Sequence, residues 1–139
     1  MTITPDDAVP PDDRIPPDQK DWTWVLERGC DECGFDSRAC PREQVGDRLR
    51  ANVEDWVRVL EGDPVELARR ARADRWSPVE YACHVRDVFR LFDRRLKSLL
   101  TLDAPRFANW DRDRAALEEG YHGADPAEVS RQLPTPARR

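Results

Sequence analysis

The 139-residue sequence predicts an all-α protein, and two features carry this prediction. Two long segments repeat apolar residues at steps of three and four, which is the spacing of one face of an α-helix. Two shorter segments begin with Asp-Pro, a pair typical of the first turn of a helix. Every element that the sequence indicates is helical, so we expect a small antiparallel helical bundle.

The first long helix is predicted from Pro41 to Leu60. Proline is tolerated at the start because the first helical N–H groups have no partner within the helix. Gly62 closes this helix, and a short helix with few apolar residues follows from Pro64 to about Arg72. The apolar residues of the first helix that share one face are Val45, Leu49, Val53, Trp56, Val57 and Leu60.

The second long helix is predicted from Ser77 to about Leu100. Ser77 and Glu80 fit a capping box, in which the hydroxyl and the carboxylate each bind a backbone N–H of the other residue. Residues 101–113 are predicted as a loop, and a last short helix starts at Asp125. The apolar stripe of the second long helix consists of Val85, Val88, Phe89, Phe92, Leu96 and Leu99.

The two ends of the chain are predicted to lie outside the folded domain. Residues 1–20 contain five prolines among aspartates and too few apolar side chains to offset the entropy of ordering, which predicts a disordered arm. The domain is expected over 21–133, with a flexible tail over 134–139. The chain has neither an apolar run near the roughly 18 residues of a membrane span nor a signal peptide, so we expect a cytoplasmic protein without a membrane partner.

The charge balance argues against nucleic acid as a partner. The chain has 23 basic and 28 acidic residues, a net charge of −5. A protein that binds a phosphate backbone usually carries a basic surface.

Four cysteines are expected to be free thiols, with a structural zinc site as the alternative. Cys30, Cys33, Cys40 and Cys83 would supply the four thiolates of a closed tetrahedral site. Cys30 and Cys33 have the spacing of a half-site, whereas Cys40 and Cys83 lie 43 residues apart and lack it. Cys83 projects away from the apolar stripe of its helix, so we expect the tryptophan segment 22–26 and the cysteine segment 30–40 to cover it.

His84 has two interpretations, as a metal ligand or as a packing residue at the edge of the stripe. Glu80 and Asp87 lie on the same side of the helix and can reach its ring. A carboxylate bound to one imidazole nitrogen would leave the other nitrogen for a metal. The only other histidine, His122, lies between glycines and is not expected to be a ligand.

Three stretches resemble the DinB superfamily of bacterial metal-binding helical bundles, and more narrowly its actinobacterial DinB-like proteins. They are "DWTWVLERGCDECGFD", "WSPVEYACHVRDVFRLFDRRL" and "FANWDRDRAALEEGY". The superfamily includes mycothiol-dependent maleylpyruvate isomerases and bacillithiol S-transferase-like proteins. The resemblance implies a divalent cation, zinc or nickel, with His84 as one ligand and a low-molecular-weight thiol as a partner.

One departure from the family pattern bears on function. The other two ligands of the family come from a His-x-x-x-His pair on a fourth helix, and no such pair follows His84. A catalytic metal site needs about three protein ligands. The sequence therefore favours a non-catalytic module that binds a metal or a small ligand, with a thiol-dependent isomerase or S-transferase as the alternative. A missing fourth helix would also leave apolar surface uncovered, which favours a homodimer.

Overall fold

The computed structural model describes Ile15 and residues 20–134, and within these residues the protein is all-α, as predicted. The predicted arm over 1–20 and tail over 134–139 fall almost wholly outside the described residues. Two long helices carry the fold, and short 3-10 turns occur at Thr23–Leu26, Ser37–Ala39 and Tyr121–Gly123. The helices are α1 (Arg42–Val59), α2 (Pro64–Ala68), α3 (Pro78–Thr101), α4 (Arg112–Glu118) and α5 (Pro126–Gln132).

The start of α3 confirms the predicted capping box. The backbone N–H of Ser77 donates to Glu80 Oε2 at 2.7 Å, and the Glu80 N–H donates to Ser77 Oγ at 3.4 Å. These two bonds satisfy N–H groups that the first turn of a helix otherwise leaves without partners. The cap fixes where α3 begins, and it places Glu80 in the interior.

The other predicted helices are present with small differences. The observed bounds of α1 lie within one residue of the prediction, and Asp125 caps α5 through the N–H of Ala127. Helix α2 is shorter than predicted, because Arg69 already has an extended backbone. Helix α4 was not predicted. Asp111 starts it by accepting hydrogen bonds from two N–H groups of its first turn, those of Asp113 and Arg114.

The core joins the C-terminal half of α1, the N-terminal half of α3, the turn at Tyr121 and α5. Gly120, with a φ of 63°, lets the chain turn sharply after α4 and bring Tyr121 inside. The fully enclosed members of the core include Tyr121, Val79, Val129 and Cys83.

The placement of Cys83 contradicts the sequence prediction. Its side chain is 1% exposed and belongs to the core with Tyr121 and Val129, rather than lying under the tryptophan and cysteine segments. The physical reason is the position of α5 and of the Tyr121 turn, which pack on the side of α3 where the tryptophan and cysteine segments were expected.

Only part of the apolar stripe of α3 packs against the core. Val85 and Phe89 pack against the core, whereas Phe92 and Leu96 are 58% and 56% exposed. The first half of α1 is similar, since Val45 and Leu49 are exposed. These exposed residues are the kind of surface that a homodimer would cover, and the homodimer stays a prediction.

None of the helices in the described residues is long and apolar enough to cross a membrane.

Candidate functional site

His84 lies between two tryptophan rings, and this arrangement is the centre of the candidate site. The Trp110 indole stacks on the imidazole with ring centroids 5.5 Å apart and an interplanar angle of 8°. The Trp76 ring contacts it at 5.3 Å and 51°. Trp76 immediately precedes the cap of α3 and Trp110 immediately precedes the cap of α4, so the two helix starts position both rings.

The Nδ1 atom of His84 is buried and has no hydrogen-bond partner within the described residues. A buried polar atom without a partner costs about 1–3 kcal/mol, so proteins rarely keep one without a reason. Burial lowers the pKa of His84, and the positive charge of Arg112 lowers this pKa further. The negative charges of Asp87 and Asp113 raise it, but by less. The folded protein therefore favours a neutral imidazole at this position.

Glu80 does not orient the imidazole, contrary to one prediction from the sequence. Its carboxylate accepts a hydrogen bond from Arg70 Nε at 2.8 Å and another from the N–H of Ser77. Burial alone would raise the pKa of Glu80, but the bonds from Arg70 and Ser77 outweigh it and keep the pKa below its ordinary value. Glu80 joins the segment after α2 to the start of α3.

Asp87, the second carboxylate expected to reach the His84 ring, has hydrogen-bond partners other than His84. It accepts hydrogen bonds from the guanidinium of Arg86, at 2.8 Å from Nε, and from the hydroxyl of Tyr121. Arg86 Nη1 donates to Gln132 Oε1 at 2.8 Å, which connects α3 to α5. Burial and the bond to Asp87 raise the pKa of Tyr121, so its hydroxyl stays protonated and donates. This network stabilises the bundle rather than preparing His84 for a metal.

Trp76, which contacts the His84 ring, also lines an open cleft of about 420 Å³, and we call it the aromatic cleft; His84 itself does not line it. Trp76 and Tyr81 form one wall, and their rings meet edge to face with centroids 5.5 Å apart. Trp22, from the tryptophan segment, also lines it. Both signs of charge are present, from Lys20, Glu32, Asp74, Arg75, Arg112 and Asp113. The cleft can stack a flat group and bind a polar molecule that carries both charges.

The structure brings together only two of the predicted thiols. Cys30 accepts hydrogen bonds from the backbone and thiol of Cys33, and these bonds lower the pKa of Cys30. Burial raises the pKa of Cys83 to about 11 and keeps it a thiol. Cys33 is exposed, and the four cysteines carry no disulfide.

Within Ile15 and residues 20–134, no three His, Cys, Asp or Glu side chains lie together in a group that could hold a metal ion. The closed site of Cys30, Cys33, Cys40 and Cys83 is thus not formed here, and His84 has no second and third ligand beside it. The residues present do not fit a zinc or nickel site with three protein ligands.

Comparison with protein-family models, curated proteins and solved structures found no match. The resemblance to the DinB superfamily therefore stays a prediction, carried by the three sequence stretches alone.

Sequence reasoning missed the aromatic neighbours of His84. Trp76 stands eight residues before His84, but Trp110 comes from a segment predicted as a loop, in which Trp110 was expected to be an anchor without a named partner. Asp111 is a typical N-cap residue, and placing a helix start there would have indicated that Trp110 is fixed. The pairing of Asp87 with Tyr121 depends on the fold and has no local signal.

Proposed function

We propose that this chain is a non-catalytic, DinB-like module that binds a small polar ligand in the aromatic cleft. The observation that carries the proposal is a cleft with aromatic walls in which one wall residue, Trp76, contacts the His84 ring with its buried, unpartnered Nδ1. A perturbed titratable group beside a concave pocket is a frequent mark of a binding site.

The ligand class follows from the lining of the cleft. Indole and phenol faces favour a flat or apolar part of the ligand, and the mixed charges favour a molecule with both an ammonium and a carboxylate. Of the low-molecular-weight thiols that the resemblance implies, bacillithiol carries both an ammonium and carboxylates and fits the charged part of this description, whereas mycothiol carries neither. His84 would act through Trp76, whose ring it contacts, because neither His84 nor Trp110 lines the cleft.

A metal-dependent activity has less support. The thiol-dependent isomerase or S-transferase would need two further ligands, which the described residues do not gather around His84. A divalent cation would then require donors from a second chain or from the ligand itself. We therefore place metal binding second to small-ligand binding.

The test combines elemental analysis with ligand titration of the purified full chain. We expect less than one zinc or nickel per chain, and binding of mycothiol or bacillithiol by calorimetry that weakens in His84→Ala and Trp76→Ala. His122→Ala is the matched control, because His122 is exposed and lies away from the cleft lining.

Two results would overturn the proposal. A stoichiometric metal that is lost in His84→Ala but kept in Cys33→Ser would restore the metal site of the family. Absence of thiol binding, or binding that His84→Ala and Trp76→Ala leave unchanged, would show that the aromatic cleft is not the ligand site.

A further inference from the structure

A second cleft lies between the C-terminal half of α3 and the loop that leads to α4, and we call it the arginine cleft. Its volume is about 340 Å³, at the lower end of the range for small-molecule sites. Arg94, Arg95 and Ser98 line it from α3, and Arg106 and Phe107 line it from the loop. The Trp110 indole, which stacks on His84, also faces this cleft.

The charges around the arginine cleft are all positive. No carboxylate lines it. In the described part of the chain, Arg94, Arg95 and Arg106 form no ion pair. The chain as a whole has a net charge of −5, so this cluster differs in sign from the overall charge.

Neighbouring arginines show the contrast. Arg86 and Arg90, earlier on α3, both pair with Asp87, and Arg114 on α4 pairs with Glu118. Three unpaired guanidinium groups around one cavity repel each other, and an anion placed between them would remove that repulsion. Guanidinium groups also bind carboxylate and phosphate with paired hydrogen bonds.

Arg95 is held in place before any ligand arrives. Its Nη2 donates to the carbonyl oxygen of Ala108 at 2.9 Å, and its guanidinium lies 5.3 Å from the Phe107 ring centroid and 5.7 Å from that of Phe92. A guanidinium has five N–H donors, so most remain for a ligand. Less side-chain entropy is lost on binding when the group is already positioned.

The aromatic lining selects the body of the ligand. Phe107 and Trp110 offer flat apolar surface beside the guanidinium groups, and Ser98 and Asn109 offer hydrogen-bonding groups. We propose that the arginine cleft binds a small organic anion, a carboxylate or phosphate attached to a flat ring. This site is separate from the aromatic cleft and does not depend on a ligand at His84.

The experiment is calorimetric titration of the full chain with phenyl phosphate, benzoate, inorganic phosphate and benzamide, the last as the neutral analogue of benzoate. We expect phenyl phosphate and benzoate to bind in the millimolar range or tighter, and benzamide and inorganic phosphate to bind at least about tenfold more weakly. Which of the two ring anions binds more tightly identifies the anionic group.

Substitutions locate the binding. Each of Arg94→Gln and Arg106→Gln should weaken binding of the preferred anion by about tenfold, because a hydrogen bond to a charged group is lost. Arg48→Gln on α1 is the matched control, since Arg48 is also exposed, forms no ion pair in the described residues, and lies outside the cleft. Circular dichroism checks that the variants fold, and Arg95→Lys tests the need for the planar group with charge retained.

The proposal fails if neither ring anion binds, if benzamide or inorganic phosphate binds as tightly as the ring anions, or if Arg48→Gln weakens binding as much as Arg94→Gln.

His84→Ala separates this proposal from the proposed function: anion binding that survives His84→Ala supports an independent site. Anion binding that disappears only in His84→Ala contradicts the independence of the arginine cleft.

Discussion

The two halves of α3 have opposite environments although one continuous helix carries both. The first half, residues 78–89, is enclosed by the Tyr121 turn and α5, and its charged residues Glu80 and Arg86 are buried with partners. The second half, residues 90–101, exposes Phe92 and Leu96 and borders the arginine cleft. The difference shows that a helix's packing face is decided by what packs on it, and not by its own pattern alone.

The largest expected effect is on the free energy of unfolding. A leucine-to-alanine change in the core that the first half of α3 contacts is compared with the same change on the exposed second half. Leu133→Ala removes a side chain that is 4% exposed and packs in the core beneath the first half of α3, so it should lower the free energy of unfolding by about 2–5 kcal/mol. Leu96→Ala, on the exposed second half, should cost less than about 1 kcal/mol. Urea denaturation measures both, and equal losses would contradict the contrast.

The next effect concerns the buried ion pair at the start of α3. Glu80→Gln removes the charge that binds Arg70 and weakens the cap with Ser77, so we expect a loss of about 3 kcal/mol in chemical denaturation at neutral pH. Because the folded pKa of Glu80 is lowered, its contribution is present above the unfolded pKa and is lost as the pH falls through the folded pKa. Glu128→Gln, in an exposed pair with Arg131, is the control and should change stability little. A similar loss in both variants would contradict the contrast between a buried and an exposed pair.

A smaller effect is expected where Tyr121 contacts the first half of α3. Tyr121→Phe keeps the ring in the core but removes the hydrogen bond to Asp87, and it should lower the free energy of unfolding by about 1–2 kcal/mol. Asp87 keeps its bonds to Arg86, which limits the loss. Thermal unfolding by calorimetry measures this, and a neutral result would mean that the hydroxyl bond adds nothing.

The smallest effect is a pH dependence from His84. Its folded pKa is lowered below the unfolded value of about 6.5, so the unfolded state binds more protons between the two values. Stability should therefore fall as the pH drops from about 6.5 through the folded pKa. His84→Gln lacks this group, so the difference in free energy of unfolding between the parent and His84→Gln should decrease over the same pH range. His122→Gln should keep the parent's pH dependence of stability. An unchanged dependence in His84→Gln would contradict the buried neutral imidazole.

Capping residues and apolar spacing, which act within a few residues along the chain, predicted the helices that they start or define. The Ser77–Glu80 cap, the Asp125 cap and the apolar spacing of α1 gave helices close to the observed bounds. Helix α4 was missed because a helix of seven residues has too few turns for a visible apolar period, although Asp111 marked its start.

The site depended on contacts between distant residues. His84 was singled out as a residue at the edge of the helix face, but its stacking on Trp110 joins residues 26 positions apart in the sequence. The prediction that Glu80 orients the ring was wrong because Arg70 takes the carboxylate. The burial of Cys83 follows from where α5 docks, which no spacing within α3 encodes.

The most direct test of the proposed ligand site is the imidazole NMR spectrum of the full chain during titration with bacillithiol. The chain has two histidines, so His122→Gln assigns both sets of ring signals. We expect the Nδ1 and ring-proton signals of His84 to shift in a saturable way while those of His122 stay constant. Bacillithiol binding by calorimetry without any change in the His84 signals would contradict the account.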